Sequence, residues 1–196
     1  SGKFYSRKDL CNMKFYDRTE QIQELQAIRE QAFEKHSTLT IVTGRRRIGK
    51  TTLIEKAMGE GMYVYLFVGK KSEAILCTEY AAEIRSKLGI FVPSGITSFK
   101  DIFALLMEAG TSRQFTLVID EFQNFIDVND SVYSDIQNFW DKYRLKSHIN
   151  MIVCGSVYSL MEELFTNRKE PLYGRCDHTI RLEPFSPEVM KEIIHD

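Results

Sequence analysis

"TGRRRIGKTT", Thr43–Thr52, places three arginines between two glycines and follows the second glycine with a lysine and two threonines. Gly44 and Gly49-Lys50-Thr51 match the spacing G-x-x-x-x-G-K-[ST]. Glycine lets the backbone curl so that successive N–H groups point inward at anionic oxygens. A helix predicted over Gly49–Met58 would add its positive N-terminal end. Lys50 offers a point charge to β- and γ-phosphates, and the Thr51 hydroxyl can join a Mg²⁺ shell. The bare pattern also arises by chance. An apolar strand before it, "LTIVTG" (Leu39–Gly44), and a helix after it supply the context of a phosphate cradle.

The stretch Gly44, Arg45, Arg46, Arg47, Ile48, Gly49, Lys50, Thr51 and Thr52 is therefore the candidate nucleotide-binding loop. Two readings stand for its arginines. They are solvated or bonded to neighbouring acids, or at least one reaches phosphate or a partner's surface.

A second stretch, "LVIDEFQN", ends an apolar run in Asp120-Glu121. A carboxylate at such a strand end can hold Mg²⁺ through its water shell, which assigns Asp120 to the metal. Glu121 is placed to polarise a water for attack on a γ-phosphate, the role of a general base. Gln123 and Asn124 either orient that water or serve as capping and surface residues.

The rest of the chain supplies a frame for these two strand ends. "MYVYLFV" (Met62–Val68), "FTLVID" (Phe115–Asp120), "INMIVCGS" (Ile149–Ser156) and "HTIRLEPF" (His178–Phe185) read as further strands. The runs at 39–44, 115–120 and 149–156 are almost continuously apolar, as in strands covered on both faces of a parallel sheet. Amphipathic helices are predicted between them. Asp17 with Glu20 forms a capping box ahead of Ile22, Leu25, Ile28 and Ala32. Ser72 caps a helix carrying Leu76, Tyr80, Ile84 and Leu88 on one face, and another starts near Ser131 with Val132, Ile136, Phe139, Trp140 and Tyr143 on one stripe. Those aromatics read as core. Gly69–Ser72 and Pro93–Ser98 read as loops. The alternation predicts an α/β domain with helices on both faces of a mainly parallel sheet.

Composition bounds the function. With 43% hydrophobic residues the chain is not disordered, and a net charge of −1 gives no overall attraction for nucleic acid. No apolar run approaches the ~20 residues of a membrane span. Cys11, Cys77, Cys154 and Cys176 are widely spaced, which favours a reducing, cytoplasmic setting, with Cys154 a small core residue. His36, His148, His178 and His195 show no metal-ligand spacing, and the sequon at Asn129 carries no signal peptide with it. The opening Ser1-Gly2 is expected of a processed or cloned fragment.

Taken together, "FYDRTEQIQEL" (Phe15–Leu25), "TGRRRIGKTTL" (Thr43–Leu53), "VIDEFQNF" (Val118–Phe125), "CGSVYSLM" (Cys154–Met161) and "PLYGR" with "LEPF" (Pro171–Phe185) resemble the archaeal-type ATPase family, in the AAA+/STAND branch of P-loop NTPases. The resemblance implies a three-layer fold with five strands in the order 5-1-4-3-2, so that the strand ending at Ser156 separates the two motif strands. Ser156 would be a sensor polar residue, or else a helix N-cap. Phe15, Tyr16 and Arg18 would line the adenine side. Arg175 would be an arginine finger acting across a subunit boundary, or else a structural ion pair. Residues 1–185 would form the ATPase core and 186–196 the start of a truncated helical lid.

The function expected is Mg²⁺-dependent ATP binding and hydrolysis driving a conformational switch in a larger multidomain protein. Possible partners are a second copy met through Arg175, and DNA or protein met by missing C-terminal domains. The alternative is a nucleotide-binding scaffold with little hydrolysis. A metabolite kinase fits the Asp-Glu pair less well, and no N-K-x-D motif supports a GTPase.

Overall fold

Every residue of strand β1 (Thr38–Thr43) is buried, and the same holds for β3 (Gln114–Asp120) and β4 (His148–Gly155) beyond their first residues. These three are the centre of a five-stranded sheet in the computed structural model, which describes residues 18–184. The order is β2-β3-β4-β1-β5, with β2 (Tyr63–Phe67) and β5 (His178–Arg181) at the edges and every neighbouring pair parallel. The sheet is thus the parallel 5-1-4-3-2 arrangement, with β4 between β1 and β3.

Parallel neighbours need crossovers, and helices supply them. On one face lie α1 (Thr19–Glu34) and α2 (Lys50–Met58), whose Leu25, Leu53, Ile54, Ala57 and Met58 meet Val42, Val118 and Ile152 of the sheet. On the other lie α3 (Glu73–Leu88), α4 (Phe99–Ala109), α6 (Val132–Tyr143) and α7 (Tyr158–Thr166), with the short α5 (Phe125–Val128) beside them. Their core is aromatic: Phe122 meets Phe125, Tyr133 and Phe165, and Phe99 meets Tyr80 and Phe103. Trp140 is fully buried there as well.

The stripe on α3 and its cap are as expected. Ser72 Oγ accepts from Ile75 N–H at 3.3 Å, satisfying a first-turn donor, and Gly89 closes the far end in the left-handed region. Several boundaries differ. Residues 99–109 form a full helix not anticipated from the sequence, although Phe99, Ile102, Phe103, Leu106 and Met107 recur at helical spacing on its buried face. Residues 158–166 also form a helix. The last strand ends at Arg181 rather than Phe185, with one further bond from Leu182 N–H to Thr43 O at 2.7 Å. Arg18 occupies the N-cap position of α1, while Asp17 of the expected capping box lies outside the described residues. Cys154 is buried, as read. Among the described residues no helix is long and apolar enough to cross a membrane.

Candidate functional site

The C-terminal ends of β1, β4 and β3 stand side by side, which brings the turn after Thr43, the dipeptide Gly155-Ser156 and the pair Asp120-Glu121 to one end of the sheet. In open α/β sheets ligands bind at such strand ends.

The turn Gly44–Gly49 is tight. A Cβ on Gly44 would stand 2.8 Å from Ile48 Cγ2 and 3.1 Å from the Leu182 carbonyl oxygen, so a side chain there would force the turn open. Gly49 has φ +102, and nothing lies within 4 Å of where its Cβ would be. Arg47 takes φ +64, a left-handed position costly for a residue with a side chain. Lys50 is buried, and its Nζ donates to the carbonyls of Gly44 and Arg45 at 2.5 and 3.1 Å. The ammonium is thereby held inside the curl of the loop.

Facing it, Asp120 and Glu121 are both buried. Asp120 Oδ1 accepts from Glu121 N–H at 2.8 Å, and Oδ2 accepts from the Tyr65 hydroxyl. Glu121 itself adopts φ +52, strain of about 1–3 kcal/mol for a non-glycine residue. Its Oε2 accepts from Gln123 Nε2 at 2.6 Å and from Ser156 Oγ at 3.0 Å. Ser156 therefore meets the acid rather than capping a helix; Val157 holds the N-cap position of α7, with no side-chain capping bond. Gln123 is a buried donor to Glu121, and Asn124 Nδ2 ties the loop to Val68 O at 2.9 Å.

A cleft of about 580 Å³ runs between these parts, lined by Lys50, Thr51, Asp120 and Glu121 with Arg46, Arg47 and Lys70 at its walls. A smaller cleft of about 300 Å³ lies on the other side of the loop, against Arg45, Ser156 and Arg181. The three loop arginines are exposed, so the solvated reading fits their surface position while Arg46 and Arg47 still border the main cleft. Thr51 and Asp120 offer a hydroxyl and a carboxylate, the hard oxygen donors that Mg²⁺ takes alongside substrate phosphates. Among the described residues no group of three or more His, Cys, Asp or Glu could hold a metal alone. The tight glycine turn, the enclosed ammonium and the paired acids fit a magnesium nucleotide.

Sequence reasoning missed Tyr65. Burial, and then the Asp120 carboxylate, push its phenol well above the ordinary value, so it remains an O–H donor. The alternation of "YVYLF" was the available signal, since it puts Tyr63 and Tyr65 on one face of β2. Arg175 stands elsewhere: its Nε and Nη2 donate to Asp141 Oδ1 and Oδ2 at 3.2 and 2.8 Å, a two-pronged ion pair on α6. Arg18 is buried and donates to Glu183 O at 2.8 Å. Phe15, Tyr16 and residues 186–196 lie outside the described residues.

Residues 15–196 match the model of a family described as an ATPase domain found predominantly in Archaea. The chain belongs to that family. Membership in this archaeal ATPase family supports nucleotide binding and hydrolysis as the domain's general work. A protein of Methanocaldococcus jannaschii, itself uncharacterized, is 28% identical over 178 residues, spanning 91% of this chain and 38% of the relative. The Walker-type ATPase of Pyrococcus abyssi superposes with a TM-score of 0.69 at 21% identity, covering 95% of this chain and 57% of that one. Cdc6p of Pyrobaculum aerophilum gives 0.60 at 18% identity, over 91% and 48%. Orc1 of Aeropyrum pernix, solved in complex with DNA, gives 0.61 at 13%, also over 91% and 48%. These likenesses show that the chain shares its fold with those proteins. The domain thus spans 38% of its curated relative and about half of the similar solved structures.

Proposed function

We propose that the domain binds ATP with Mg²⁺ in the cleft between the Gly44–Thr51 loop and Asp120-Glu121, and hydrolyses it. The observation that carries this reading is that Lys50, Thr51, Asp120 and Glu121 line one cleft although they come from two distant segments. Phosphoryl transfer needs positioning and charge neutralisation more than covalent help from the protein. The loop amides and Lys50 would hold the phosphate tail, and the loop arginines bordering the cleft would add charge. Thr51 and Asp120 would hold the metal. A Mg²⁺ held there would supply positive charge against the phosphate oxygens. Glu121 would accept the proton of the attacking water, and the Ser156 and Gln123 donors would set which of its oxygens faces that water.

In this reading residues 1–185 are the ATPase core and 186–196 begin a helical lid. Phe15, Tyr16 and Arg18 would face the adenine. Hydrolysis would drive a conformational switch in a larger cytoplasmic protein whose further domains meet DNA or protein. Arg175 would have to leave Asp141 to reach a neighbour's nucleotide. A finger supplied that way adds about 10³–10⁵ in rate, so the isolated domain would turn over slowly.

A second reading, a nucleotide-holding scaffold, draws support from Glu121, whose Oε2 is already engaged by two protein donors rather than open to a water. Nucleotide titration of wild type and Lys50→Ala tests the binding site: the variant should lose most affinity, and equal affinities would remove the site. Turnover by the full-length protein separates the readings. Glu121→Gln should abolish hydrolysis while keeping binding; unchanged turnover would refute the catalytic role.

A further inference from the structure

Tyr65 stands on the edge strand β2 opposite Val118 of β3, two residues short of the Phe67–Asp120 pair. Side chains alternate along a strand, so Tyr65, Val118 and Asp120 share the face covered by α2, the helix that carries Thr51. The ring lies half-buried against that apolar cluster and its hydroxyl reaches forward along the sheet. There it donates to Asp120 Oδ2. Asp120 Oδ1 is held from the other side by Glu121 N–H at 2.8 Å.

From this geometry we propose that Tyr65 is a positioning residue for the metal end of the cleft: its hydroxyl fixes the rotation of the Asp120 carboxylate. This deepens the reading above and rests on it. One donor on each carboxylate oxygen leaves the side chain a single rotation about its last bond, whereas one donor alone leaves it free to swing. A carboxylate that is already aimed meets a metal's water shell without first losing that freedom, and partners that orient such groups are typically worth about 10–100-fold in metal affinity. An edge-strand phenylalanine would fill the apolar position equally well. The hydroxyl is what the packing alone does not require.

The test is a titration of a fluorescent ATP analogue into the full-length protein, at rising Mg²⁺ and again in EDTA. Tyr65→Phe should raise the half-saturating Mg²⁺ about tenfold while leaving affinity in EDTA unchanged. Asp120→Asn should show a similar loss of Mg²⁺ response, and adding Tyr65→Phe to it should change nothing further. A wild-type Mg²⁺ response in Tyr65→Phe overturns the proposal. So does an equal loss with and without metal, which would mean that the hydroxyl only supports the fold. Wild type that binds no nucleotide overturns the proposed function and this inference together, an outcome distinct from either of those.

Discussion

The Ser156 hydroxyl donates to Glu121 Oε2 at 3.0 Å, joining the end of β4 to the acid that follows β3. Gln123 Nε2 holds the same oxygen at 2.6 Å, so the carboxylate has two donors from two elements. Ser156→Ala removes one and leaves the other. ATP turnover should fall about tenfold, less than the roughly 10²–10⁴ a general base supplies, because Gln123 still holds the acid, while nucleotide affinity stays near wild type. Steady-state hydrolysis beside a binding titration checks the split; a matching loss of affinity would instead assign Ser156 to ground-state binding.

Arg175 and Asp141 form an exposed two-pronged ion pair. The pair raises the guanidinium's already high pKa, first through the Asp141 hydrogen bond. Exposed pairs contribute about 0.2–1 kcal/mol, so Arg175→Ala and Asp141→Ala should each shift the urea midpoint only slightly. If Arg175 works on a neighbour's nucleotide, Arg175→Ala should lower turnover far more than it lowers stability, and the wild-type rate should climb with protein concentration. A rate per molecule independent of concentration would leave the ion pair as its whole role.

Phe122 is fully buried against Phe125, Tyr133 and Phe165, directly after the strained Glu121. Phe122→Ala should cost about 3–5 kcal/mol in denaturant unfolding. Ser72→Ala, which removes only the cap of α3, should cost about 1 kcal/mol. A smaller loss at Phe122 than at Ser72 would contradict the packing described.

Alkaline pH should weaken the fold. Burial pushes the Cys77 thiol from 9.0 up to about 12, and raises Cys154 well above its ordinary value. Burial likewise raises Tyr80 and Tyr133 above 10.0. The unfolded chain releases these protons first, so above pH 9 it binds fewer protons than the native state and stability falls as pH rises. The contribution is intact below pH 9, declines through the Cys77 window of 9.0 to about 12, and steepens once the tyrosines join above 10.0. Urea midpoints from pH 7 to pH 11 in reductant should drop over that range; a flat profile would refute it.

Local pattern was sufficient for much of this molecule. Apolar runs placed β1, β3 and β4, the glycine spacing placed the Gly44–Thr51 turn, and Ser72 announced its helix, because each signal depends on neighbours a few residues away. The strand order came with the resemblance carried by the motifs, and the sheet agrees with it. Three contacts needed the tertiary fold: Tyr65 on Asp120, Ser156 on Glu121, and Arg175 on Asp141. Each joins side chains from different elements, and which atoms meet depends on strand register and helix placement rather than on sequence spacing. The chain alone could name the acids and the lysine; only the packed sheet decides who holds them, because a hydrogen bond is a matter of a few tenths of an ångström and sequence carries no distances.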